Sequence, residues 1–255
     1  MEGKSVKFTI LGSGSAVPFE GRASSSYFVE TEHTNILLDC GFQCVDRLYS
    51  IGKSLDSVDY IFLSHKHPDH FIGLIHLFFA LRSPYYERKS PICIFGFKDI
   101  EKYFEQFRGI LGKWIEPGVP VNFFPNENNS VSSWTNISDL LSFRTFSTMH
   151  TDESVGVSLV VNERKIVYTS DTEFFEGLAD EFSYADLAVV DCASGEGSGL
   201  RGHMDFRQGI FLAEQAGVKK LLFSHFYPDS INFDLSRFDT DIEFYKARDC
   251  MSIFL

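Results

Sequence analysis

A chain broken into eleven short apolar runs has few folds open to it. Five runs fall in the first half, at residues 6–12, 26–30, 35–41, 58–65 and 91–97, and six in the second, at 140–150, 154–161, 165–172, 187–193, 218–225 and 251–255. Their length and their β-branched and aromatic content predict strands. Helical spacing predicts helices over 44–51, 70–82, 98–111, 174–182 and 206–216 and near 242–247, with a hairpin over 161–165 and an Asn/Ser-rich loop over 125–133. Two strand-rich halves, each with its own helices, predict two mixed sheets face to face with helices outside, a four-layer αββα sandwich of the α/β class. No Pro/Gly/Ser linker interrupts the 255 residues, so residues 1–255 are expected to form a single domain. The 27 phenylalanines point to a bulky core.

Charge narrows the partners. Lys and Arg number 23 against 35 Asp and Glu, a formal net charge of −12. Such a surface repels polyanions unless positive charge is gathered locally, so nucleic acid is a disfavoured partner. The five cysteines (Cys40, Cys44, Cys93, Cys192 and Cys250) are odd in number and scattered, which suits reduced thiols. The opening residues lack a charged segment followed by an apolar one, so a cytoplasmic location is expected. The longest apolar stretch, 71–81, is interrupted by His76 and is too short for a bilayer, which needs ~20 residues, so no membrane partner is expected. It reads as a buried helix.

The chemistry concentrates in Ser64-His65-Lys66-His67-Pro68-Asp69-His70, where an apolar run ends and a helix begins. Two histidines at i and i+2 of an extended segment point the same way, while an Asp-His pair in the first helical turn can face a second point nearby. That geometry suits two metal ions. Burying three histidines and an aspartate in one turn without a cation would leave their polar atoms competing for few partners. His150, Asp171 and His225 each close a strand-like run, where the loops of an α/β sheet gather a site. His33 and His76 read as ordinary surface or core residues. Gly12-Ser13-Gly14 lacks the third glycine of a dinucleotide-binding turn, and Val17-Pro18 blocks an immediate helix. Asp205 with Gln208 forms a capping-box pattern, which places His203 beside a helix N-terminus.

Residues 65–70, HKHPDH, resemble the H-x-H-x-D-H motif of the metallo-β-lactamase fold superfamily. The likeness extends over nearly the whole chain: residues 10–18 resemble its opening loop, 37–41 its aspartate motif, 169–172 its bridging-aspartate motif, and 202–228 the closing segment of the RNase Z-like branch. The resemblance implies one divalent ion on His65, His67 and His150, another on Asp69, His70 and His225, and Asp171 shared by both. Zinc is the expected metal, with manganese or iron tolerated by such donors. Asp39 would support the centre from behind its ligands. Relatives of this branch usually pair, so the resemblance also implies a homodimer, with the apolar stretch 71–81 serving either its interface or the core.

Two ions ~3.5–4 Å apart would lower the pKa of a shared water toward ~7 and neutralise a phosphoryl transition state, so hydrolysis is expected. Asp69 would both ligate and orient the nucleophile. His203 would bind a phosphate oxygen or protonate the leaving alkoxide, or else merely tether its loop.

The expected substrate is a small phosphodiester, with a cyclic nucleotide or cyclic phosphate as the leading class, as in compact relatives of RNase Z. No basic Gly/Pro-rich arm lies between His70 and His150, the His-Glu-Ala-Thr motif of tRNA processors is missing around Asp191, and Phe42, Gln43 and Cys44 replace their usual Glu, Gly and Thr. Arg82, Arg88 and Lys89 with Tyr85 and Tyr86 read as a solvated loop rather than a binding rim. The alternatives are tRNA 3′ processing, and lactam or thioester hydrolysis on the same fold. A diiron redox role would need a flavin domain for which the chain has no room. A closed structural zinc site uses four ligands where seven candidates exist.

Overall fold

The computed structural model describes residues 5–124, 132–236, 238 and 240–255. Seven strands build the first sheet: β1 (Lys7–Gly12), β2 (Ser26–Glu30), β3 (Asn35–Leu38), β4 (Tyr60–Leu63), β5 (Ile92–Gly96), β6 (Val121–Phe123) and the last strand of the chain, Ser252–Phe254. The second sheet takes β7 (Thr135–Ser138), β8 (Leu141–Ser147), β9 (Val155–Val161), β10 (Arg164–Tyr168), β11 (Leu187–Asp191), β12 (Lys220–Ser224) and β13 (Glu243–Lys246), and the chain then returns to the first sheet as β14. Each sheet is mixed. Strands β3 to β6 run parallel, as do β10 to β13, and the remaining neighbours are antiparallel.

Aromatic side chains knit the two facing sheets. Phe95 meets Phe143 at 4.1 Å between ring centres, Tyr27 and Phe62 meet the Tyr168 ring edge-on, and the Tyr27 hydroxyl donates to Ser224 Oγ at 2.7 Å. Ten of the twelve largest fully buried side chains are Phe. The helices α1 (Cys44–Ser50), α2 (Pro68–Phe71), α3 (Gly73–Leu81), α4 (Ile100–Leu111), α5 (Leu178–Phe182) and α6 (Phe206–Ala216) complete the fold. The architecture is the expected pair of mixed sheets, with helices completing an αββα sandwich.

Several local expectations are corrected. The helix expected near 242–247 is a strand: four residues, Glu243–Lys246, pair in parallel with the open edge of β12. A segment that short cannot distinguish a 3.6-residue period from alternation, and an unpaired sheet edge decides it. The helix expected over 70–82 is two helices. Pro68 starts α2 at its first position, where its missing N–H costs nothing. The ladder then breaks at Gly73, whose N–H donates to Cys40 O (2.8 Å) rather than into the helix. A Cβ there would lie 2.1 Å from Gly41 O, so only glycine permits this approach. Of the helix expected over 174–182, only Leu178–Phe182 forms. The short strands β6 and β7, half-exposed at sheet margins, carried too little apolar content to be read. The hairpin over 161–165 turns through Asn162 and Glu163, both at positive φ as a type I′ turn requires. Most of the loop expected over 125–133, residues 125–131, lies outside the described residues.

Among the described residues no helix is long and apolar enough to cross a membrane. All five cysteines are free. Arg82 and Arg88 are taken up by backbone carbonyls, of Lys113 and Glu116 for Arg82 and of Asp56, Ser90 and Pro91 for Arg88, so they staple loops.

Candidate metal centre

The carboxyl ends of β3, β4, β8, β10, β11 and β12 all deliver polar residues to one edge of the sandwich. His65 follows β4, His67 caps α2 from an extended backbone, and Asp69 and His70 lie in its single turn. His150, Asp171 and His225 arrive from the loops after β8, β10 and β12. Ligand atoms of His65, His67, His150 and Asp171 fall within 4.8 Å of one another, as do those of Asp69, His70 and His225.

Asp171 stands between these two sets with one oxygen facing each. Its Oδ1 lies 3.3 Å from His70 Nε2 and 3.4 Å from His225 Nε2, and its Oδ2 lies 3.6 Å from His150 Nε2 and 3.8 Å from His65 Nε2. Asp69 Oδ2 is 3.5 Å from His225 Nε2 and 3.7 Å from His70 Nε2.

Asp39 fixes an imidazole in each set. Fully buried, it accepts from Ser64 N at 2.7 Å, the Tyr168 hydroxyl at 2.6 Å and His70 Nδ1 at 2.7 Å. Ser64 Oγ donates to Asp39 Oδ2 at 2.8 Å and therefore accepts from His65 Nδ1 at 2.9 Å. With both Nδ1 atoms protonated, His70 and His65 turn Nε2 lone pairs toward the centre, the tautomer a metal ligand needs. His150 is set the same way, its Nδ1 donating to Gly202 O at 3.0 Å.

These donors fit divalent cations. His65 Nε2 and Asp171 Oδ1 are buried without a hydrogen-bond partner. His70 Nε2 faces His225 Nε2 at 3.2 Å, and His150 Nε2 faces His67 Nδ1 at 3.1 Å, approaches that need a shared proton or cation. Burial works against charging Asp69 and Asp171, yet the adjacent His70 and His225 hold both carboxyls below their ordinary range. Burial likewise opposes charge on His225, but Asp171, Asp191 and Asp69 outweigh it and push the ring up to about 10. Four buried aspartate side chains, those of Asp39, Asp69, Asp171 and Asp191, surround the centre. His65 goes the other way, held well below its usual value by burial and then by His70.

His203 sits at the rim. Its ring stacks on His225 (5.4 Å between centres, 17° between planes) and lies 5.0 Å from His150. Nδ1 bonds Asp191 Oδ2 at 2.8 Å, leaving Nε2 for a ligand. Burial opposes protonating the ring, and Asp191 outweighs burial and raises its pKa. The capping box forms: Gln208 N donates to Asp205 Oδ1, and Asp205 N to Gln208 Oε1, both at 3.0 Å. Buried Met204 and positive-φ Gly202 pin the loop on either side of His203. His33 and His76 are exposed and stand apart from this centre.

Sequence reasoning gave no site role to Asp191, Glu173 or Gly202. Asp191 also accepts from Thr172 N (3.1 Å) and Ala193 N (2.9 Å), and Glu173 accepts from Gly202 N at 2.7 Å. Asp191 carried a readable signal, since it closes an apolar run as Asp39 does. Glu173 binds a main-chain amide and Gly202 orients His150 through its carbonyl, contacts that had no such signal.

The chain is 24% identical over 249 residues to zinc phosphodiesterase ELAC protein 2 of Macaca fascicularis, of whose length it spans 30%. Ribonuclease Z of Ignicoccus hospitalis is 25% identical over 273 residues, with 88% of each chain covered. Among solved structures, the short form of human tRNase Z superposes with a TM-score of 0.79 at 22% identity, over 97% of this chain and 98% of that one. The family model described as Anti-Pycsar protein Apyc1 matches residues 6–248. The chain belongs to the Anti-Pycsar protein Apyc1 family and, like its relatives, is a metal-dependent hydrolase on the metallo-β-lactamase fold.

Proposed function

We propose that this chain, as a single domain, is a dinuclear phosphodiesterase that hydrolyses a small phosphodiester, with a cyclic nucleotide or cyclic phosphate as its substrate class. The observation that carries the reading is the position of Asp171, whose two oxygens face separate ligand sets at 3.3–3.8 Å. His65, His67 and His150 would hold one ion and Asp69, His70 and His225 the other, zinc by preference, with Asp171 on both. When bound, such ions supply an activated water and offset charge on the phosphoryl group.

The protein's own groups do the rest. Asp39 holds the His70 and His65 tautomers through direct and Ser64-relayed hydrogen bonds. Asp69, in the first turn of α2, orients the nucleophile. His203, its Nδ1 anchored on Asp191, carries a proton at Nε2 for the leaving oxygen.

The small-substrate reading is supported by the net charge of −12 and by Arg82 and Arg88 being tied to loop carbonyls, which leaves them poor phosphate clamps for a tRNA. The proposal extends to a cytoplasmic enzyme, in keeping with free thiols, and to a homodimer formed through the apolar surface of α3 and the turn after α4, where Phe79 and Trp114 are more than half exposed. Light scattering tests the dimer.

The deciding experiment assays a precursor tRNA, a panel of cyclic nucleotides and a chromogenic phosphodiester with added zinc or manganese. We expect cyclic-nucleotide turnover abolished by chelator. Strong tRNA cleavage with inert cyclic nucleotides would overturn the substrate class, and activity indifferent to chelator would overturn the metal chemistry.

A further inference from the structure

Asp249 lies outside every motif of the centre, in the segment between β13 and β14 that carries the chain back to the first sheet. Its side chain is only 13% exposed and its carboxylate is heavily bonded. Oδ1 accepts from the backbone N (3.0 Å) and Oγ (2.6 Å) of Ser13, and Oδ2 from Ala23 N (2.7 Å) and the Arg47 guanidinium (3.0 Å). Arg22 closes the clasp from the other side. Its Nη1 donates to Ser13 Oγ (2.6 Å) and Ala247 O (2.9 Å), and its guanidinium lies 5.3 Å from the centre of the Phe226 ring.

Ser13 links this clasp to the metal centre. Its carbonyl accepts the N–H of Phe226 at 3.0 Å, and Gly14 forms a β-bridge with Phe226. The residue before Phe226 is His225, in left-handed backbone at φ +60°. A non-glycine residue keeps that conformation only where its surroundings over-determine it. Strand β12 ends at Ser224, so the restraint on the far side of His225 comes from the opening loop.

We propose that Asp249 is a positioning residue for the second ligand set, fixing His225 through Ser13 and Phe226 so that its Nε2 faces Asp69 and Asp171. The inference rests on the metal reading above. It predicts an asymmetry that general destabilisation would not produce. Loss of the clasp should weaken the ion held by Asp69, His70 and His225 and spare the ion held by His65, His67 and His150, whose supports come from elsewhere.

The test is a zinc titration of the metal-free chain against a chromophoric chelator, with circular dichroism as the check on folding. Asp249→Asn keeps the shape and removes the charge facing Arg22 and Arg47, and it serves should Asp249→Ala fail to fold. We expect two binding events in the wild type. In Asp249→Asn one should weaken by at least about tenfold, the size of loss seen when a ligand's outer support is removed, while the other stays within about threefold. In a His67→Ala background the loss should persist, and in a His70→Ala background it should disappear. Equal weakening of both events, or of neither, would overturn the proposal. A wild-type chain that binds no zinc would overturn the metal reading and this inference with it.

Discussion

The two halves of the chain furnish the centre in opposite ways. The first half gives His65, His67, Asp69 and His70 from six consecutive residues at one strand–helix junction, and their spacing is set by local backbone, an extended His67 followed by Pro68 and one helical turn. The second half gives His150, Asp171 and His225 from three separate loops, each with its own support. Gly202 O orients His150, the opening loop restrains His225, and Asp171 follows Ser170, itself at φ +56°. Ligands drawn from one turn take their spacing from local backbone and share one remote support, Asp39, for the tautomers of His65 and His70, whereas ligands gathered from loops depend on a different contact for each.

Asp171→Ala breaks the distinction outright, because this residue belongs to both sets. Metal analysis should show both ions lost, and turnover should fall by more than the roughly 100-fold that follows removal of an outer support. His203→Ala comes next. It should lower turnover by about 10²–10⁴-fold, the usual scale for a general acid, while metal content stays intact. Joint loss of metal and turnover would make the ring a structural element.

A pair of substitutions sharpens the contrast. Gly202→Ala would place a Cβ 2.7 Å from His150 Nδ1 at φ +83°, so the affinity loss, about 10–100-fold, should appear in one of two zinc-binding events. Asp39→Asn disturbs His70 directly and His65 through Ser64, so both events should weaken, by a similar factor.

The smallest effect is expected at the other end of the second sheet. Asp186, just before β11, accepts from Lys219 Nζ (2.7 Å) and Lys165 N (2.9 Å). Burial pushes its carboxyl up, but these contacts prevail and hold it below the ordinary range. A depressed folded-state pKa stabilises above the unfolded carboxylate value of about 4 and loses that contribution as pH falls through the folded value. Asp186→Asn should therefore cost about 1 kcal/mol or less near neutral pH, the Lys219 pair being well solvated, and the difference from wild type should vanish in acid. Thermal melts at several pH values check this, with zinc affinity unchanged.

The same asymmetry governed what could be read from sequence. The cluster at 65–70 declared itself because four donor types crowd into six positions, and the layered fold followed from runs whose periodicity sums over many residues. His150, Asp171 and His225 were legible as polar residues closing apolar runs. Asp191 fits that rule as well, yet its bond to His203 depends on a loop path that periodicity does not encode. Gly202 orients His150 through its carbonyl, and Glu173 acts by binding the Gly202 amide; Ser13 meets Phe226 through its own carbonyl, and such contacts with main-chain groups leave no pattern in the order of residue types. Segment 242–247 is too short for its period to separate helix from strand, and the open edge of β12 decides it.

Strand β14 lies beside β1, so the first sheet brackets the whole second sheet between its own outermost members in sequence. Knitting that margin means closing a loop of nearly the entire 255-residue chain. The entropy of such closure grows only slowly with length, but pairing across so great a separation is slow to find. The first sheet can therefore not be excised as one stretch of chain, and truncating the final strand should be felt at β1 and in the opening loop that follows it.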